Sequence, residues 1–146
     1  MIARISTYFG CTEEKLWEKI IEPKSLQFVA SPILSFKPLV KDELDGRWVI
    51  GKTYKLKLDF LKILPLGCHR IKIVTMDRES NTIVSTESGT LAPVWNHTIR
   101  FSQCEQNKLI YTDEIEIKAG GLTMAIWVFA QLFYRHRQKR WKILLK

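Results

Sequence analysis

Cysteine is scarce in this chain, and the three present, Cys11, Cys68 and Cys104, lie far apart. An odd count with no CxxC pair excludes a disulfide framework and a zinc knuckle. It points instead to a reducing compartment, the cytoplasm. Long hydrophobic runs are missing too. The longest apolar stretch, Leu122 to Tyr134, is 13 residues, where a membrane span needs about 20; it is long enough for a buried core helix. The N-terminal MIARISTYFG alternates like a strand. It has no charged region followed by an apolar one, so no signal peptide is expected. Seven Gly and five Pro are too few for a disordered or low-complexity chain. No GxSxG elbow and no Gly-rich phosphate loop occurs, so nothing supports covalent catalysis or a nucleotide site.

What is present describes one domain, residues 1–146, large enough to bury roughly 70% of its unfolded surface. Five Trp suggest a voluminous interior or an aromatic-lined pocket. The net charge of +8 is uneven: Arg135, Arg137, Lys139, Arg140, Lys142 and Lys146 crowd the last 12 positions, with no acid among them. A basic field spread over the chain would suggest nucleic acid. A basic terminus is a different object, and nucleic acid is not expected as a partner.

Ile2 to Phe9 alternates and ends at Gly10, a first strand. Thr12 can cap a helix whose dipole meets Glu13 and Glu14 and whose apolar stripe is Leu16, Trp17, Ile20 and Ile21. Pro23 stops it and starts a second short helix through Phe28 or Val29. Pro32 and Pro38 bracket a strand from Ile33 to Val40, and Pro in a strand marks an edge or a bend. After the turn-rich stretch Asp42 to Gly51 the period switches to two for about seventy residues. Strands are expected from Tyr54 to Phe60; from Gly67 to Met76 after a Pro65-Leu66-Gly67 turn; and at 82–88, 94–102 and 108–118. The links between them are short, so the strands should pair as sequential antiparallel hairpins. Gly120-Gly121 then opens one helix of about 25 residues. A long antiparallel sheet twists and curls, and only the terminal helix can cover its concave face. The apolar half of that helix is expected to be enclosed, with Trp127 and Phe133 facing the interior, and the basic half to emerge.

This order resembles the helix-grip fold of the SRPBCC superfamily, which includes START lipid-transfer domains, pollen-allergen-like proteins and polyketide cyclase/dehydrase proteins. The resemblance covers essentially the whole chain. PLGCHRI at 65–71, VWNHTI at 94–99, YTDEIEIKAG at 111–120 and FYRHRQKRW at 133–141 are similar to a bacterial branch. It implies an α+β domain: a curved antiparallel sheet of about six or seven strands around a long C-terminal helix, with two short helices after the first strand. It also implies a cavity that binds, transports or cyclises a small hydrophobic molecule, and no cofactor. It assigns no catalytic residue, because the superfamily shares a cavity and not a reaction.

Alternation names the side chains expected to face that cavity: Tyr54, Leu56, Leu58 and Phe60; His69, Ile71 and Ile73; Ile83, Ser85 and Glu87; Trp95, His97, Ile99 and Phe101; Leu109, Tyr111, Asp113, Ile115 and Ile117. Four ionisable residues, His69, Glu87, His97 and Asp113, therefore sit on apolar faces. Turns centred near 92 and 105 would place Glu87 opposite His97 and His97 opposite Asp113, with His69 diagonal to Glu87. Buried charges pair, and three readings of this line stay open. It is a structural hydrogen-bond network, a polar anchor for the head group of an apolar ligand, or a general acid–base cluster for a cyclisation or dehydration. A metal site has the ligand types but no spacing signature, and none is expected. The basic tail has three readings of its own. It is a solvated helix end; it is a surface for an anionic membrane or an acidic partner at Arg135–Lys142; or Arg137 or Arg140 turns back onto Glu114 or Glu116.

Overall fold

The computed structural model describes residues 1–146. Strand β1 (Ile2–Phe9) is followed by α1 (Glu13–Ile20) and α2 (Pro23–Ala30). Six strands come next: β2 (Leu34–Pro38), β3 (Thr53–Phe60), β4 (Leu64–Asp77), β5 (Thr82–Gly89), β6 (Val94–Glu105) and β7 (Lys108–Lys118). A short 3-10 turn at Gly120–Leu122 leads into α3 (Thr123–Leu144). All pairings are antiparallel, in the order β1-β7-β6-β5-β4-β3-β2. The element order expected from the periodicity and the α+β helix-grip architecture implied by the resemblance are both observed.

Local chemistry places the elements. Thr12 caps α1, its Oγ1 accepting from the Lys15 amide at 3.3 Å, and Glu13 and Glu14 occupy the first turn. Pro23 opens α2, where its missing N–H costs nothing. The strand holding Pro38 lies at the sheet edge, as proline demands. The β3–β4 turn differs from expectation. Leu61 and Lys62 make it, at φ +52° and +63°, and Pro65 lies inside β4 opposite Asp59. Between Lys57 and Asp59, Leu58 faces two residues of β4, Leu66 and Gly67, which is a β-bulge. Gly67 carries φ +86°, and a Cβ there would come within 2.5 Å of Thr90 Oγ1. Glycine is thus required twice over, and the Pro-Leu-Gly signal marks a bulge instead of a turn.

Two apolar clusters fill the space between sheet and helices. One joins Ile5, Leu34, Phe36, Leu56, Ile71, Trp95, Ile115, Phe133 and Tyr134 under the first half of α3. The other joins Phe9, Leu16, Trp17, Phe101, Tyr111, Trp141 and Leu145 under α1 and the end of α3. The terminal helix does not divide as its composition suggests. In the apolar half, Met124, Val128 and Leu132 are 61%, 48% and 65% exposed. In the basic half, Arg137, Gln138 and Trp141 are buried. Burial follows angle around the helix: Ala130, Phe133, Tyr134, Arg137, Gln138 and Trp141 recur at helical spacing on one face, and that face meets the sheet along the whole helix. The opposite stripe reads Met124, Val128, Leu132, Arg135, Lys139, Lys142, and all six are exposed.

Candidate functional site

Between the concave sheet, α2 and α3 lies a cavity of about 140 Å³ in which 20 of the 27 lining residues are hydrophobic. Leu34 and Phe36 of β2, Leu58 of β3, Ile71 and Ile73 of β4, Trp95 of β6, and Ile126, Phe129 and Phe133 of α3 are among its walls. Cys68, Thr90 and Leu91 also line it and are exposed, so its mouth lies at the β5–β6 connection.

Of the residues expected here, Leu58, His69, Ile71, Ile73, Ile83, Ser85, Glu87, Trp95, Ile99 and Phe133 line the cavity. Tyr54, Leu56, Phe60, His97, Tyr111, Asp113 and Trp127 do not. Tyr54 and Leu56 are buried in the core, with Tyr54 Oη accepting from the Val49 amide at 2.9 Å. Phe60 packs edge-on to Phe129, and Trp127 donates to the Ile2 carbonyl at 2.9 Å. His97 and Asp113 stand behind the wall, next to Tyr134.

The polar line forms, in a different register. His97 pairs with Ile115 and Asp113 with Ile99, because β6 extends to Glu105 before the Gln106-Asn107 turn. Ser85, not Glu87, is opposite His97. Both slips are of two residues, so every side chain keeps its face and the contacts become diagonal. His97 Nε2 donates to Asp113 Oδ1 at 2.7 Å, and His97 Nδ1 is 3.9 Å from Glu87 Oε2. His69 is diagonal to Glu87 as expected, with Nε2 donating to Oε1 at 2.9 Å. Gly89 makes room for this imidazole: a Cβ there would lie 2.9 Å from His69 Nδ1.

Both carboxylates are saturated. Glu87 also accepts from Ser85 Oγ at 2.5 Å. Asp113, fully buried, also accepts from Tyr111 Oη at 3.0 Å and Gln138 Nε2 at 3.0 Å. Burial pushes the Glu87 carboxyl up, but the hydrogen bond and charge of His69, then His97 and Ser85, bring it below the usual range. Burial acts likewise on Asp113, and His97, Arg137 and Gln138 bring it below its usual value. Burial and Asp113 hold the Tyr111 hydroxyl well above its usual value, and burial raises the Tyr134 hydroxyl. No group of three or more His, Cys, Asp or Glu is close enough to hold a metal ion.

Among the cavity residues that escaped the strand-based reading are Tyr134, Arg137 and Trp141 of α3. Helical spacing carried from Phe133 through the basic segment would have found them. Tyr134 Oη accepts from Trp95 Nε1 at 3.0 Å. Arg137 lies with its guanidinium carbon 4.7 Å from the Tyr134 ring centre and 5.9 Å from that of Phe133. Neither Arg137 nor Arg140 turns onto Glu114 or Glu116. Glu114 pairs with Arg4 at 2.6 Å, and Arg140 donates to the Phe28 carbonyl at 3.1–3.2 Å while stacking on the Phe28 ring. The basic patch is thus divided: Arg135, Lys139 and Lys142 face solvent, and Arg137 faces the cavity.

No family model and no curated protein matches the chain in sequence. Solved structures match it along its length. A protein of Chromobacterium violaceum is 15% identical, with a TM-score of 0.77 over 99% of this chain and 96% of that one. A START superfamily protein from Mycobacterium smegmatis is 11% identical, with a TM-score of 0.69 over 99% and 96%. Norcoclaurine synthase from Thalictrum flavum is 12% identical, with a TM-score of 0.62 over 94% and 84%. Identities this low establish a shared fold alone, the helix-grip fold. No helix of the chain is long and apolar enough to cross a membrane.

Proposed function

We propose that this chain binds a small hydrophobic molecule, such as a lipid, quinone or polyketide, in the cavity between sheet and α3, as a carrier or sensor in the cytoplasm. The cavity carries this reading: about 140 Å³, walled mainly by apolar side chains, with a few polar groups converging on it. The neighbours support it through the fold they share. Unpaired Cys68 and Cys104, both exposed, suit a reducing compartment. Arg135, Lys139 and Lys142 are the exposed cations of the basic tail that could meet an anionic membrane surface or an acidic partner during exchange.

A cyclase or dehydratase reading needs a base free to take a proton from substrate. His97 and Asp113 stand behind the cavity wall, and both oxygens of Glu87 already accept hydrogen bonds. For Glu87, His97 and Asp113 these observations favour binding over turnover, and His69 is the one candidate base left on the cavity wall. Native mass spectrometry of freshly purified protein, with solvent extraction of what it releases, tests the reading. An apolar compound should leave with the protein, and Leu58→Trp, which fills the cavity, should abolish its retention while His97→Ala only weakens it. Turnover of the released compound that His97→Ala kills while retaining binding would overturn the carrier reading in favour of the enzyme.

A further inference from the structure

The strand side of the cavity is polar and satisfied; the helix side is polar and is not. Arg137 is 6% exposed, and its Nε is buried without a hydrogen-bond partner. The two carboxylates whose charges it feels do not pair with it: Glu87 and Asp113 both bond to histidines. One turn further along the same helix face, Trp141 lines the same cavity, is 2% exposed, and its Nε1 is also buried without a partner. Tyr134, beside Arg137, uses its oxygen to accept from Trp95, which leaves its proton available to a further acceptor. Three donors on one helix face, one of them a cation, thus line an apolar cavity without acceptors of their own. A buried guanidinium with carboxylates near but none hydrogen-bonded to it is costly, and native proteins avoid leaving such a donor open unless something answers it.

Resting on the proposal that the cavity holds a hydrophobic molecule, we infer that this molecule carries a carboxylate, received by Arg137 with Tyr134 and Trp141 alongside. A guanidinium presents a planar fork that matches a carboxylate with two parallel N–H bonds. The Tyr134 and Phe133 rings, 4.7 and 5.9 Å from the guanidinium carbon, give it cation–π support. A dianionic phosphate suits the place less well, because the ionised Glu87 and Asp113 carboxylates stand nearby and would repel a second negative charge. The apolar walls receive the remainder of the ligand. The class is therefore a hydrophobic monocarboxylic acid.

Calorimetric titration of the purified, delipidated full chain with octanoic acid, 1-octanol and octyl phosphate tests this, since the three share a tail and differ at the head. Octanoic acid should bind at least about tenfold tighter than 1-octanol, the worth of one charge-assisted hydrogen bond, and tighter than octyl phosphate. Arg137→Met should collapse the acid-over-alcohol preference to below about twofold, and Arg137→Lys should restore part of it. Equal binding of acid and alcohol by the wild type overturns the Arg137 inference and leaves the apolar cavity reading standing. Tighter binding of octyl phosphate overturns the carboxylate assignment. Failure of all three to bind, and of Leu58→Trp to change anything, overturns both.

Discussion

The two polar faces of the cavity carry opposite lessons. On the sheet side, Asp113 is fully buried and accepts from His97, Tyr111 and Gln138, and Glu87 accepts from His69 and Ser85. On the helix side, Arg137 Nε and Trp141 Nε1 are buried with nothing to donate to. A network in which every carboxylate oxygen accepts a hydrogen bond holds strands in register and rigidifies the wall. A donor set left open is costly to the empty protein and has value only when a ligand answers it. The first pattern reads as structure, the second as a binding site.

The largest effect should come from breaking the satisfied side. Asp113→Ala leaves three buried donors without an acceptor and should lower unfolding free energy by about 3–5 kcal/mol in urea. A loss under about 1 kcal/mol would mean the network is not structural. Acid sharpens the comparison next. The folded-state carboxyls of Glu87 and Asp113 lie below their ordinary values of 4.5 and 3.8. Their contribution is therefore present above those values and is lost as pH falls through them toward the folded values. Urea midpoints should therefore fall as pH drops below about 5. His97→Gln removes the strongest favourable partner of Asp113, so its profile should be lower at neutral pH and flatter in acid. An unchanged slope would place the depression elsewhere. The smallest effect should come from the helix side: Arg137→Met replaces an unanswered buried cation with an apolar chain of similar reach. Stability of the ligand-free protein should stay within about 1 kcal/mol or rise. A loss as large as that of Asp113→Ala would show Arg137 to be part of the structural network.

Helix α3, apolar for half its length and basic for the rest, resolves into two stripes. The inward stripe passes from Ala130 and Phe133 to Arg137 and Trp141, and the outward one from Met124, Val128 and Leu132 to Arg135, Lys139 and Lys142. Segment composition misleads here because burial on a helix depends on angle, not on position along the axis.

Local pattern alone determined the element order, the edge position of the proline-bearing strand and the inward parity of His69, Glu87, His97 and Asp113. Period two and period 3.6 survive any packing, and a register slip of two residues changes no face. Residues near in sequence could not say which of those polar groups would be satisfied or which would look into the cavity. Asp113 is completed by Gln138 from α3, Leu34 and Phe36 join the wall from β2, and the phase of α3 turns Arg137 inward. Such meetings depend on where distant elements come to rest against one another. Only the tertiary structure could therefore separate a closed polar network from donors still awaiting an acceptor.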